Sequence, residues 1–336
     1  MVKSLQVLVD DQDPDIEYLC DVSTKLFPNI YYNDTWTTVA SLACSYEGWF
    51  RYSFIGTGVQ LGLPVTSDSA QVSVQIDNHP YEPLKGSNRY VSPNLKDGPH
   101  NVTFSASGAN AQPGLDYLTF TAGASTPLEG QIIIHSDDDK VLHYDGDWST
   151  QQPESIEFDD TLLYQGTAHW STTVGDSVSY SYFFGTSVTV MGISTPSEMN
   201  ASLAFTVDGD TTMKTISQTN LDKATTVRLF SMTGLQPGRH SLGIKVMNIS
   251  VRGPIGINFL AYSASYSRLS DVSGPYDGSV VIPREKTQSI ILTGAIIGGI
   301  TLVVGLVICF FAWRRERNRQ FPHKFNMMET DLKDLS

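Results

Sequence analysis

Six short motifs occur twice in this chain, in the same order and about 130 residues apart. Phe54-Ile-Gly-Thr-Gly-Val59 returns as Phe183-Phe-Gly-Thr-Ser-Val188, with Gly62 and Gly192 behind them. Asp11-x-Asp13 followed by Tyr18 returns as Asp137-x-Asp139 followed by Tyr144, and Trp36-Thr-Thr-Val39 as Trp170-Ser-Thr-Thr-Val174. Ile76-Asp77-Asn78 matches Val207-Asp208-Gly209, and Leu95-x-x-Gly98-x-His100 matches Leu235-x-x-Gly238-x-His240. Gly114-Leu-Asp-Tyr-Leu-Thr-Phe120 matches Gly256-Ile-Asn-Phe-Leu-Ala-Tyr262. The offset drifts from 126 to 142 residues, and the order never breaks. A period this long is that of a whole domain, since solenoid units run only to about 20–45 residues.

Each copy reads as all-β. Val72-Ser-Val-Gln-Ile76, Val102-Thr-Phe104 and Val178-Ser-Tyr-Ser-Tyr182 alternate apolar and polar residues and favour β-branched and aromatic side chains. Asp97-Gly98-Pro99, Asp208-Gly209-Asp210 and Gln236-Pro237-Gly238 are turn signals between them. Short strands at this spacing predict a sandwich or barrel with an aromatic core.

The end of the chain differs. Between Lys286 and Arg314 no residue is charged, and residues 290–313 read IILTGAIIGGITLVVGLVICFFAW. At about 1.5 Å per residue such a helix spans a hydrocarbon core of about 30 Å with some tilt. Trp313 stands at its edge, and Arg314, Arg315, Arg317 and Arg319 follow, which predicts a cytoplasmic C-terminus and an outer N-terminal part. Residues 1–20 hold no apolar run of a secretory signal. A truncated start is therefore expected, with tail anchoring as the alternative. The expected boundaries are a first sandwich over 1–125, a second over 130–266, a linker over 267–288, a transmembrane helix over 289–313 and a tail over 314–336. Plasma membrane is the expected location.

An acidic start, a Phe-x-Gly-Thr-Gly-Val strand, an Ile-Asp turn, a Leu-x-x-Gly-x-His turn and a closing Leu-Asp-Tyr-Leu strand occur together in one group of proteins. The chain resembles the fungal single-pass membrane proteins of mushroom-forming species, with tandem galactose-binding-like jelly-roll ectodomains. The likeness spans residues 5–320 and implies two tandem jelly-roll β-sandwiches followed by one transmembrane α-helix. It implies a non-enzymatic binding ectodomain, with cell-wall glycan as the expected ligand. A surface sensor signalling through helix dimerisation is the alternative, and a carbohydrate-active enzyme a more distant one. The chain departs from the group in its short linker, which lacks a Ser/Thr-rich stalk.

The chemistry of the residues is sparse. There is no Gly-x-Ser-x-Gly, His-Glu-x-x-His, Cys-x-x-Cys or phosphate-binding glycine loop, so no catalytic residue is assigned. A formal charge of −13 argues against nucleic acid as a partner. Asp11, Asp13, Asp137 and Asp139 offer clustered oxygens for a structural Ca²⁺, or cap turns; no other cofactor is expected. Trp36 and Trp170 either stack on sugar or fill the core, and Trp148, after Asp145-Gly146-Asp147, is expected to be exposed and to serve as a stacking residue. His100 and His240 each open a strand, where a structural hydrogen bond is expected. Asn33, Asn101, Asn200 and Asn248 head N-glycosylation sequons. Cys20 and Cys44 are expected to form a disulfide. Gly294 and Gly298 form a Gly-x-x-x-Gly spacing that predicts a homodimer through the membrane helix.

Overall fold

Strand formation follows the alternation closely in the computed structural model. The seven residues Phe50–Gly56 bury Phe50, Tyr52 and Phe54 and expose Arg51 and Ser53. The structure describes residues 5–40, 48–62, 71–83, 89–107, 114–136, 142–153, 163–194, 199–218, 224–249 and 253–271. These are strands, turns and short 3₁₀ segments, and they fall within one compact unit. Among the described residues no helix is long and apolar enough to cross a membrane. The expected membrane helix over 289–313, with Gly294 and Gly298, and the tail over 314–336 lie outside the described residues.

The first repeat contains β1 (Gln6–Asp10), β2 (Ile16–Tyr18), β3 (Val22–Leu26), β4 (Thr35–Val39), β5 (Phe50–Gly56), β6 (Gly58–Gly62), β7 (Gln71–Ile76), β8 (Glu82–Pro83), β9 (Arg89–Val91), β10 (Gly98–Ser107), β11 (Gly114–Leu115) and β12 (Tyr117–Thr121). The second contains β13 (Ile132–Ser136), β14 (Leu142–Asp145), β15 (His169–Ser171), β16 (Ser177–Ser194), β17 (Met199–Val207), β18 (Asp210–Gln218), β19 (Thr225–Ile249) and β20 (Ile255–Ser263). One layer of the first sandwich is the sheet β2-β5-β10-β7-β8, and β11-β4-β3 form a small separate sheet. In the second repeat β16 and β19 each run through both layers. The first half of β16 pairs with β14 and its second half with β20. Register shifts near Tyr180, Gly185 and Val190 bend the β16–β19 pair between the layers. Phe205 on β17 stacks on Phe230 on β19, with centroids 4.5 Å apart, so the interior of the sandwich is aromatic as expected.

The repeats do not merely follow each other. Strand β1 pairs antiparallel with β12 on one side and with β13 on the other, Val7 standing opposite Ile133. A continuous sheet, β9-β6-β12-β1-β13-β20-β16-β19, therefore crosses from one repeat into the next. Leu8, Tyr32, Ile134, Tyr164, Met191, Phe259 and Ala261 pack as a separate apolar cluster at the seam. Each member of the first repeat there has its counterpart in the second: Leu8 with Ile134 and Tyr32 with Tyr164.

The histidines at the start of the Gly-x-His strands pin hairpins. Nδ1 of His100 lies 2.9 Å from Asp77 Oδ2 and its Nε2 lies 2.7 Å from the Lys96 carbonyl oxygen. His240 repeats this with Asp208 at 2.5 Å and the Gln236 carbonyl oxygen at 2.7 Å. Asp77 and Asp208 both have φ of 52°, left-handed turn geometry that their second carboxylate oxygens stabilise by accepting the N–H groups of Asn101 and Ser241. The expected structural hydrogen bond is thus present in both copies.

Candidate functional site

The segment between β3 and β4 carries the most unusual backbone among the described residues. Asn29, Tyr31, Asn33 and Asp34 all have positive φ, of 62°, 64°, 50° and 67°, although none is glycine. Such conformations cost about 1–3 kcal/mol each and persist only where surrounding contacts enforce them. Here they are enforced from several sides. Phe27 N–H donates to the Asp34 carbonyl at 2.8 Å, and Asn29 N–H donates to Asp34 Oδ1 at 2.7 Å, closing the loop on itself. Tyr32 N–H donates to the buried Asp116 carboxylate at 2.8 Å, and the Asn33 amide donates to Asp10 at 3.1 Å. From the second repeat, Arg228 Nη2 reaches Asp34 at 3.0 Å and Asn29 Oδ1 at 3.3 Å. Ile30 forms a β-bridge with Val227.

This rigid loop presents aromatic rings. Tyr31 stacks on Trp36 with centroids 4.7 Å apart and planes 27° apart, and Phe27 meets Tyr31 edge-on at 5.4 Å. All three are half-buried, beside an exposed Leu26. Trp36 lies flat on β11 because Gly114 has no Cβ; a methyl group there would overlap its indole. Trp170 lies on Gly256 in the same way, yet it is only 3% exposed and packs with Leu163, Ala168, Ile193 and Ala224. The two equivalent tryptophans therefore part company: Trp170 is core and Trp36 reaches the surface. On the flank of the same loop, Pro28, Asn29 and Ile30 wall a groove of about 810 Å³ against strands β18 and β19.

Trp148 differs from expectation. It is half-buried, its indole N–H donates to the Ser177 carbonyl at 3.1 Å, and it meets Tyr144 edge-on at 5.3 Å. The turn at Gly146, with φ of 108°, brings Asp147 N–H within 3.0 Å of the buried Asp176 carboxylate and swings the indole inward. The Asp11 carboxylate is engaged by the chain's own hydroxyl groups. It is 0% exposed, and its oxygens accept hydroxyl protons from Thr35 at 2.5 Å and Thr37 at 2.6 Å. Asp13 caps the N–H of Asp15 at 2.9 Å. Among the described residues no group of three or more His, Cys, Asp or Glu side chains is placed to hold a metal ion. Asp137 and Asp139 lie outside the described residues, as does Cys44; Cys20 is disulfide-bonded. The asparagines Asn33, Asn101, Asn200 and Asn248 are all exposed.

Beneath the loop lies an acidic floor. Burial, reinforced by the neighbouring Asp11 charge and opposed by the Asn33 amide, pushes the Asp10 carboxyl up to about 7. Burial also raises Asp11 against the pull of its hydroxyl donors, and holds Asp116 well above the carboxylate range. Aligning the closing motifs reveals what Asp116 does, because Asn258 occupies its place in the second copy. Its Oδ1 accepts Tyr164 N–H at 3.0 Å, as Asp116 accepts that of Tyr32. That pairing was available in the repeat but carries no motif of its own.

The fold and site together define an all-β protein of two fused sandwiches with an aromatic loop at their junction. No protein-family model and no curated protein matches the chain. Among solved structures it is similar to the tandem CBM22-1–CBM22-2 domain of Paenibacillus barcinonensis Xyn10C, at 9% identity and TM-score 0.25, covering 77% of this chain and 94% of that one. A family two carbohydrate esterase from Cellvibrio japonicus is similar at 20% identity and TM-score 0.27, over 35% of this chain and 34% of that one. A two-domain esterase active on acetylated mannans is similar at 15% identity and TM-score 0.30, over 40% of this chain and 36% of that one. The chain spans about a third of those esterases, and TM-scores this low carry no argument about function.

Proposed function

We propose that this is a single-pass cell-surface membrane protein whose outer sandwiches bind cell-wall glycan without catalysing a reaction on it. The observation that carries the reading is the half-exposed Phe27, Tyr31 and Trp36 cluster on a loop fixed from both repeats. Sugar rings offer an apolar C–H face, and a rigid aromatic ledge binds such a face with little ordering cost. The uncharged stretch over 290–313, the arginines after it and the four exposed sequon asparagines support a surface location.

The test is a glycan array probed with the purified full-length chain. Tyr31→Ala and Trp36→Ala should each weaken glycan binding about tenfold, the effect of losing about 1.4 kcal/mol of stacking. Trp148→Ala should leave affinity unchanged. Absence of binding to any glycan, or equal loss from Trp148→Ala, would refute the proposal.

A further inference from the structure

The second sandwich is open along one side, and a lysine stands where the core should continue. Ile216 on the edge strand β18 points inward and is 9% exposed, whereas Lys214, two residues earlier on the same face, is exposed. Both line the groove of about 810 Å³. Its opposite wall is the start of β19, with Arg228 and the buried Phe230, and Asn29 and Ile30 of the first repeat complete it. The groove exists only where the two repeats meet.

We propose that this groove binds the carboxylate of an acidic sugar, a uronate residue within a glycan, through Lys214 and Arg228. The inference rests on the reading that the outer part of the chain binds carbohydrate, and it names the class of sugar. Two cations line one groove of a chain whose formal charge is −13. Lys214 has no ion pair among the described residues. Arg228 engages Asn29 and Asp34 through Nη2 alone, so Nη1 and Nε keep donors facing other directions. A sugar carboxylate would accept from one of these donors through one oxygen and from the Lys214 ammonium through the other. The apolar floor of Ile216 and Phe230 suits the C–H face of the same ring. Arg228 is already paired with Asp34, so a neutral sugar would leave Lys214 alone without a counter-charge.

An inward lysine on an edge strand also guards against strand-to-strand aggregation, and that role makes a different forecast. The full-length chain is titrated calorimetrically with a galacturonic acid tetrasaccharide and with the neutral galactose tetrasaccharide. The uronate should bind at least about tenfold more tightly, and its affinity should fall as salt rises from about 0.05 to 0.5 M. Lys214→Gln should cost the uronate about tenfold and leave the neutral sugar unaffected, with Lys214→Arg restoring most of the loss. Arg228→Lys, which keeps the charge and loses the separate Nη1 and Nε donors, should give an intermediate loss. Uronate affinity unchanged in Lys214→Gln would overturn the inference, and if that variant also aggregates, the lysine is an edge guard. Neutral glycan bound through Tyr31 and Trp36, with no uronate preference, would overturn the inference and leave the glycan reading standing. Absence of binding to both sugars and to the wider array would overturn both.

Discussion

Asp10, His100 and His240 titrate in a direction that ties the stability of the protein to mild acid. The raised pKa of Asp10 means that the folded state binds its proton more tightly than the unfolded chain. Its contribution is fully present below 3.8 and is lost as pH rises through about 7. His100 and His240 face a carboxylate on one ring nitrogen and a carbonyl on the other, two acceptors that only the doubly protonated ring satisfies. Desolvation lowers their pKa, but the carbonyl and carboxylate bonds outweigh it and raise both above 6.5, so this contribution is full below 6.5 and fades as pH rises through the raised values. For Asp77 and Asp208 burial is the largest single effect and raises the pKa, but the Asn101 and Ser241 N–H groups and the two histidines together bring both below 3.8, so they contribute above 3.8 and are lost only in stronger acid. Thermal melts should therefore show a higher Tm near pH 5.5 than near pH 8, by a few degrees, since about 1 kcal/mol moves Tm by roughly 2–4 °C in a protein of this size. Asp10→Asn keeps an acceptor for Asn33 and removes the charge, so it should raise the Tm near pH 8 and flatten the profile. A Tm that climbs from pH 5.5 to 8 would contradict this account. The histidines were legible from their place after a Gly-x turn; Asp10 was not, because nothing in Val-Asp-Asp-Gln says that both acids turn inward.

The loop from Phe27 to Asp34 shows how far one element can depend on a distant one. Its sequence, Phe-Pro-Asn-Ile-Tyr-Tyr-Asn-Asp, contains no glycine, and although Asn29, Asn33 and Asp34 are types that tolerate positive φ, nothing in it announces Tyr31. The strain is held by tertiary contacts, among them Arg228, which is 199 residues from Asn29. Removing that staple with Arg228→Ala should loosen this element before any other. Hydrogen exchange at the amides of Asn29, Ile30 and Tyr32 should accelerate about tenfold or more, a local opening cheaper by about 1.4 kcal/mol. The amide of Tyr164, the counterpart of Tyr32, should keep its wild-type rate. Unchanged protection over residues 27–34 would show that the arginine is incidental to the loop. The aromatic role of Trp36 was legible only as an alternative to core packing. What separates it from Trp170 is its company: Tyr31 stacks on Trp36, whereas Trp170 packs among Leu163, Ala168, Ile193 and Ala224.

At the scale of the molecule, the duplication and the all-β character were readable because turns and alternation recur in both copies. The seam was harder to see. Strands β1 and β13 carry the runs Val7-Leu8-Val9 and Ile132-Ile133-Ile134, apolar without alternation, and Val7, Leu8, Ile133 and Ile134 are each at most 2% exposed. Continuous runs of this kind mark strands covered on both faces, but they do not say which strand lies alongside. Because β1 sits between β12 and β13, neither repeat can unfold without exposing the edge of the other. Calorimetry should give one endotherm for the two sandwiches, with van't Hoff and calorimetric enthalpies in agreement; two resolved transitions would mean that the shared sheet contributes little coupling. The register at the seam has a further meaning. Gln6 stands opposite Ile134, Val7 opposite Ile133 and Leu8 opposite Ile132. Under the repeat, Leu8 is the counterpart of Ile134 and Gln6 of Ile132, so the contact maps onto itself about the Val7–Ile133 pair. That is an isologous interface, the kind formed by two identical subunits across a two-fold axis. A lone repeat would carry a self-complementary edge and would meet its own copy there. Joining the copies on one chain turns that association into an intramolecular contact, at an effective concentration in the millimolar range, and so makes the junction groove independent of how many molecules are present.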